Sequence, residues 1–153
     1  MSKIPNTVTN EYSVLVDIIK KRFEKHNLLF TENKENIFKI LFENENHLSV
    51  NEVVEIFNTK FNLVLKVSTA YRSLSSFESL GIVNHIIIDD IKRYELVYFK
   101  APHYHLYCQE CNGIEEFESK EIHQVFLNHL EEIGFQAINF NVIVNGVCKR
   151  CQK

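Results

Sequence analysis

No stretch of this 153-residue chain approaches the roughly 18 consecutive apolar residues of a membrane helix, and its start, MSKIPNTVTN, has no apolar core that could act as a signal peptide. Membrane insertion and export are therefore not expected. Glycine is scarce, at four residues, and no glycine-rich phosphate loop can be built from it. No serine or cysteine nucleophile stands beside a base, which removes the commonest hydrolytic chemistry. Basic charge is short as well: with a net charge of −3, any contact with nucleic acid must come from a local surface or from cations that the protein binds. Internal repeats and low-complexity segments are also missing. What remains is a chain 45% hydrophobic, enough for an ordinary buried core in one domain or two small ones.

The four cysteines form two pairs of identical spacing, Cys108/Cys111 and Cys148/Cys151. Two CxxC knuckles can close a tetrahedron of thiolates around one zinc ion at about 2.3 Å with little backbone strain. No thiol is left over for a disulfide framework or a lone nucleophile, and paired thiols without an export signal belong in a reducing cytoplasm. A redox switch, through zinc loss and disulfide formation, is the second reading of the same residues. Just upstream, His103-Tyr104-His105 alternates, so a strand would aim both imidazoles at one face and offer nitrogen donors to a different metal.

Periodicity divides the chain. From Tyr12 to about Leu80 it is helical: Val14, Leu15, Ile18, Ile19 and Phe23 form one apolar stripe, and Ile37, Phe38, Ile40 and Leu41 form another after Thr31, an N-cap. Ser49 with Glu52 three positions later is a capping box opening a third helix. A fourth runs from near Val67 to the Leu80-Gly81 stop. Beyond it, Ile82–Ile88 and Tyr94–Tyr98 are predicted strands joined through Asp89-Asp90. Helices followed by a hairpin is the order of a winged helix. Lys100-Ala101-Pro102 is a candidate hinge. The remainder predicts strands at Leu106–Cys108 and Ile114–Phe117, a helix over about Lys120–Ile133 stopped by Gly134, and a strand over Phe135–Val144.

In the fourth helix, Val67, Ala70, Leu74 and Phe77 share the apolar face. Ser68, Thr69, Arg72 and Ser75 take the other, with Tyr71 at the boundary. Hydroxyls for phosphates, an arginine for guanine N7/O6 and a tyrosine ring for a thymine methyl suit a major groove. An ordinary amphipathic helix with a solvated polar face is the alternative.

The order of these parts resembles the ferric uptake regulator family of dimeric, metal-dependent transcription factors, from about Leu28 to Cys151. The family's T-V-Y-R recognition-helix signature stands as Thr69-Ala70-Tyr71-Arg72, and its R-Y-E as Arg93-Tyr94-Glu95. The H-x-H-x-x-C-x-x-C-G block stands as His103 to Asn112, I-E-F as Glu115-Glu116-Phe117, and G-V-C-x-x-C as Gly146 to Cys151. In this order and spacing the set is specific.

The resemblance implies an α+β chain: an N-terminal winged-helix DNA-binding domain with an extra first helix (1–99), a hinge (100–102) and a C-terminal α/β dimerisation domain (103–153). It implies structural Zn²⁺ on Cys108, Cys111, Cys148 and Cys151, and a regulatory site of His47, Glu95, His103, His105 and Glu116. Imidazole and carboxylate donors suit Fe²⁺, Mn²⁺, Co²⁺ or Zn²⁺. Ligands drawn from two domains would let the ion select one interdomain angle and so the spacing of two recognition helices. The implied partners are a second copy of the chain and a palindromic, A·T-rich double-stranded operator, read through Ser68, Thr69, Tyr71 and Arg72 and repressed when Fe²⁺ is bound. Glutamates rather than aspartates at 95 and 116 favour iron over the peroxide-sensing relatives. A zinc sensor is the further alternative.

The chain departs from the family at several points. Lys34 replaces an arginine that contacts phosphate, and Lys20, Lys21 and Arg22 could add backbone contacts. Asn112-Gly113 replaces Gly-Lys and implies a changed turn. The segment between Glu95 and His103 is slightly long. A third metal site of many members would map to Pro102, Tyr104, His123 and Phe140, of which only His123 can ligate, so that site is expected to be absent. A zinc deaminase would use H-x-E and a later P-C-x-x-C. His129-Leu130-Glu131 before Cys148 fits superficially, but no proline precedes Cys148 and Cys108/Cys111 would go unused. A metal-storage or adaptor protein would not need the Tyr71-Arg72 helix. No enzyme and no small-molecule substrate are expected.

Overall fold

The computed structural model describes residues 6–44, 46–97, 101–137 and 140–152, with side chains from residue 11 onward. The chain runs α1 (Asn6–Lys25), α2 (Glu32–Glu43), β1 (Leu48–Ser49), α3 (Val50–Phe61), α4 (Val67–Ser79), β2 (Val83–Ile88), β3 (Ile91–Leu96), β4 (His103–Cys108), β5 (Ile114–Glu118), α5 (Lys120–Glu132) and β6 (Ile143–Gly146). Four helices and the small sheet β1-β3-β2 form the first half, and the sheet β5-β4-β6 with α5 forms the second. No described helix is long and apolar enough to cross a membrane.

Local chemistry sets most of the helix ends. Thr31 accepts from the Lys34 N–H at the start of α2, and Ser49 and Glu52 make the reciprocal capping box of α3. After α4, Gly81 adopts φ 63° and the Ile82 N–H closes on the Phe77 carbonyl at 2.9 Å. The β2–β3 turn places Asp89 and Asp90 at φ 49° and 61°. Positive φ at both central residues is the type I′ geometry that matches strand twist, and aspartate tolerates it.

The helical core is built from Val16, Ile19 and Phe23 of α1, Ile37, Phe38 and Leu41 of α2, Val53 and Phe57 of α3, Leu74 and Phe77 of α4, and Tyr94 of β3. Phe23, Phe30 and Phe77 meet edge to face, with ring centroids 5.2–6.4 Å apart. Two assignments from periodicity change. On α1, Val16 is buried and Val14 is 52% exposed; the stripe runs through Tyr12, Leu15, Val16, Ile19 and Phe23 and leaves Val14 outside it. On α4, Val67 is 51% exposed although it shares the helical phase of Ala70 and Leu74. It lies at the first residue of the helix, beyond the point where the other helices cover that face.

In the second half, β4 is central, antiparallel to β5 and parallel to β6. The strand expected over Phe135–Val144 is shorter: pairing spans Ile143–Gly146, with residues 138–139 outside the described residues. Phe135 instead ends α5, its N–H donating to the Leu130 carbonyl at 2.8 Å while Gly134 takes φ 69°. The expected strand end at Tyr98 and the Lys100 part of the hinge also lie outside the described residues. Two-residue β1 was not foreseen; it is defined by its pairing with β3, Leu48 opposite Tyr94 and Ser49 opposite Arg93.

Candidate metal centres and DNA-reading face

The four cysteine sulfurs lie within 4.8 Å of one another, drawn from the end of β4, its following turn and the tail after β6. All four are free thiols. Cys111 Sγ and Cys148 Sγ are 3.9 Å apart. Four sulfurs at about 2.3 Å from a central zinc in a tetrahedron would be separated by about 3.8 Å, so this spacing fits an ion and not a disulfide. The Cys148 N–H donates to Cys108 Sγ at 3.3 Å. Backbone donors from Cys148 and Cys111 hold the Cys108 thiol down at about 6. The neighbouring Cys148, Cys111 and Cys108 side chains push Cys151 up to about 12. Four thiolates so crowded can all ionise only around a cation.

A second cluster joins the two halves. His47, at the loop end before β1, and Glu95 of β3 come from the first. His105 of β4 and Glu116 of β5 come from the second, and one ligand atom from each lies within 4.8 Å of all the others. His47 Nε2 and His105 Nε2 are 3.0 Å apart. Glu95 stands 3.6 Å from His47 and 3.2 Å from His105, and Glu116 lies 3.6 and 3.8 Å from the same two nitrogens. Donors at about 2.1 Å from one ion are about 3.0 Å apart at right angles and about 3.4 Å apart at tetrahedral angles. The observed separations bracket those values.

His103 joins through Glu95. Its Nε2 is 3.0 and 3.1 Å from the two carboxylate oxygens, and its Nδ1 lies 3.0 Å from the Ala101 carbonyl. With the Nδ1 proton donated to that carbonyl, Nε2 presents a lone pair to an anionic oxygen. Such a contact requires a proton or a metal ion between the two.

Glu95 is the centre of this arrangement and almost fully buried. Burial alone would push its carboxyl up, but hydrogen bonds with His105 and His47 and the charges of His47 and His103 hold it far below the usual carboxylate range. The slightly long segment to His103 does not displace it. Tyr94 on the opposite face of β3 fills the helical core while Glu95 faces the second half, as strand alternation requires. Strand register selects Glu116 among its acidic neighbours, because it pairs across from His105.

Arg93 has a role that the motif alone did not assign. Its Nη1 donates to the His47 carbonyl at 3.2 Å and to Glu52 at 2.9 Å, and the same Glu52 carboxylate accepts from the Ser49 N–H at 2.7 Å. The capping box of α3 is thereby tied to the loop that carries His47. Its position two residues before Glu95 on the same face of β3 is the signal that could have found it.

On α4, Ser68, Tyr71 and Arg72 are exposed and Thr69 and Ser75 are half-buried, all off the packed face. Lys34 is placed differently from a free phosphate contact. Its ammonium donates to the Leu29 carbonyl at 2.5 Å and lies 4.9 Å from the Phe23 ring centroid, and burial lowers its pKa. Lys20 pairs with Glu35 at 3.1 Å. At the positions of the third metal site, Tyr104 stacks on Phe117 with centroids 5.1 Å apart, and Phe140 meets both Tyr104 and His123 edge to face. Aromatic rings there leave His123 without companion donors among the described residues.

The profile of the ferric uptake regulator family matches residues 25–145. The chain belongs to this family. A "Ferric uptake regulation protein" of Campylobacter jejuni is 30% identical over 143 residues, covering 92% of this chain and 90% of the relative. A "Peroxide-responsive repressor PerR" of Staphylococcus epidermidis is 25% identical over 130 residues, covering 84% and 85%. Among solved structures, the ferric uptake regulator of Francisella tularensis with iron is 29% identical with a TM-score of 0.59, covering 82% of this chain and 96% of that one. The chain is thus a metal-responsive transcription regulator and not an enzyme, with the α+β fold of winged helix and second α/β unit.

Proposed function

We propose that the chain acts as a cytoplasmic homodimeric repressor that binds a palindromic, A·T-rich operator when Fe²⁺ occupies the site of His47, Glu95, His103, His105 and Glu116. The observation that carries this reading is the origin of the ligand atoms: two from each half, converging within 4.8 Å. An ion held there stabilises one mutual arrangement of the halves, and hence one presentation of α4. Residues 1–99 form the DNA-binding domain, 100–102 the hinge and 103–153 the dimerisation domain. Zn²⁺ on Cys108, Cys111, Cys148 and Cys151 supplies a permanent brace. Nitrogen and oxygen donors divide the two sites by metal type, since thiolates favour zinc and the mixed set suits Fe²⁺ or Mn²⁺.

Dimer formation is supported by α5, which buries none of its residues within one chain while Val125 is 68% and Ile133 61% exposed. DNA reading is supported by the exposed Ser68, Tyr71 and Arg72 with Thr69 beside them. Lys34 would have to leave the Leu29 carbonyl to reach a phosphate. A peroxide-responsive reading is favoured by one observation, the likeness to PerR. The test is selection of bound fragments from random DNA by zinc-loaded protein under anaerobic conditions, with Fe²⁺, Mn²⁺, Zn²⁺ or chelator in parallel. A palindrome enriched with Fe²⁺ and absent with chelator is the expected result. No enrichment in any arm, with the cage intact, would overturn the reading.

A further inference from the structure

The β2–β3 hairpin touches the second half at places other than the metal ligands. At its turn, Asp89 accepts from Asn112 Nδ2 at 3.4 Å, and the single proton of Tyr107 Oη is shared between Asp89 at 3.3 Å and Asn112 Oδ1 at 2.9 Å. Along the hairpin, Asn141 Nδ2 donates to the His85 carbonyl at 2.7 Å, and Asn84 Nδ2 to the Phe140 carbonyl at 3.5 Å.

Both sets attach to the strand that carries the histidines. Tyr107 lies two residues after His105 on β4. Asn141 immediately precedes Val142, whose carbonyl accepts the His105 N–H at 3.0 Å. Asp89 and Asn112 share a polar cleft of about 630 Å³ with His47 and Glu116, so the turn stitch borders the metal cluster. Asn112 holds φ 55°, a conformation that glycine takes freely and asparagine tolerates. The side chain at this position is therefore carried at some backbone cost, and its amide is what joins the zinc knuckle to the wing.

We propose that these stitches favour the docked arrangement that the regulatory ion selects, which makes Asp89, Asn112 and Asn141 positioning residues for the His47/Glu95/His105/Glu116 site. The proposal rests on the regulatory-site reading above. An ion that needs ligands from both halves binds with an affinity scaled by the fraction of molecules already docked. The bonds of Tyr107, Asn112 and Asn141 are solvent-exposed and individually weak. Two of them at separate points of one hairpin restrict its rotation far more than either alone.

The test uses the full zinc-loaded chain and the variant Asn112→Gly with Asn141→Ala, neither of which removes a ligand or forces the backbone. Without regulatory metal, the alignment tensors of the two halves, taken from backbone residual dipolar couplings, should differ more in the variant than in the unaltered protein. Co²⁺ titration should show affinity reduced about tenfold in the variant, with zinc in the cage unchanged. Tensors that differ no more in the variant than in the unaltered chain, or equal Co²⁺ affinity, would each overturn the proposal while leaving the regulatory site standing. Failure of the unaltered protein to take up Co²⁺ beyond its cage would instead overturn the regulatory-site reading, and the positioning role with it.

Discussion

The two halves of this chain reach a folded state by different means. The first packs one continuous apolar cluster from Val16 to Tyr94, with Phe23, Phe38, Phe57 and Phe77 at its centre. In the second, the buried residues among those described are Tyr104, His105 and Cys108, and α5 buries nothing against its own chain. Apolar burial this small fits the proposal that the second half is ordered by the zinc cage and by a partner surface. On that proposal, a half with its own core would carry the reading helix, and a half ordered by ions would respond to them.

The sharpest way to break the comparison is to take the cage away. Replacing Cys111 and Cys148 with serine should cost the second half most of its stability, since structural zinc contributes about 10 kcal/mol or more in small domains. Amide spectra should show resonances of 101–152 collapsing while those of 11–97 persist. Simultaneous unfolding of both halves would contradict their independence.

The converse experiment is Phe77→Ala. This ring is fully buried against Phe23, Phe30 and Phe38, and the cavity should lower the stability of the helical half by about 3–5 kcal/mol. Urea unfolding followed at α1–α4 would measure it, with zinc content unchanged. Between the halves, His103→Ala with His105→Ala should weaken regulatory-metal binding by more than about a hundredfold, because loss of outer partners alone typically costs about 10–100-fold. Zinc leaving along with the second metal would show that the two sites are not separate.

Smaller effects test the first half as a DNA reader and as a capped helical unit. Arg72→Ala should cost about 1–3 kcal/mol of specific operator binding and relax base choice, measured by competition between operator and random duplex; equal loss on both duplexes would reassign Arg72 to a phosphate. Ser49→Ala should cost about 1 kcal/mol. Ser49's side-chain hydrogen bond leads the causes that lower the Glu52 pKa, with Arg93 adding to them. A carboxyl lowered on folding stabilises the fold above its unfolded value of about 4.3, and that contribution disappears as pH falls through the lower folded value. Unfolding midpoints taken between pH 7 and about 3 should therefore drop less steeply in Ser49→Ala than in the unaltered chain. Identical slopes would remove the cap from the acid response.

How far the sequence could be read depended on how local the physics was. The Thr31 and Ser49/Glu52 caps, the Gly81 and Gly134 stops and the paired CxxC turns involve residues a few positions apart, and each stands where the spacing places it. Val14 and Val67 were misplaced because helical phase states which residues share a face, not where a neighbouring helix stops covering it. The strand expected from Phe135 failed because an apolar run does not distinguish a helix terminator from a strand. Lys34 was matched by position to a phosphate contact, yet the Leu29 carbonyl and Phe23 ring compete for its ammonium.

The sequence by itself determined the helical and strand segments, the zinc-type cysteine pattern and the donor types of a second site, because each follows from short-range geometry and ligand chemistry. Only the tertiary structure decided that Glu95 is the hub of that cluster, that Arg93 holds the His47 loop, and that Asn112 and Asn141 tie the hairpin to the second half. Those contacts join residues up to 56 positions apart. Which of them meet is set by sheet register and by how the halves pack, and neither is written in the spacing of neighbouring residues.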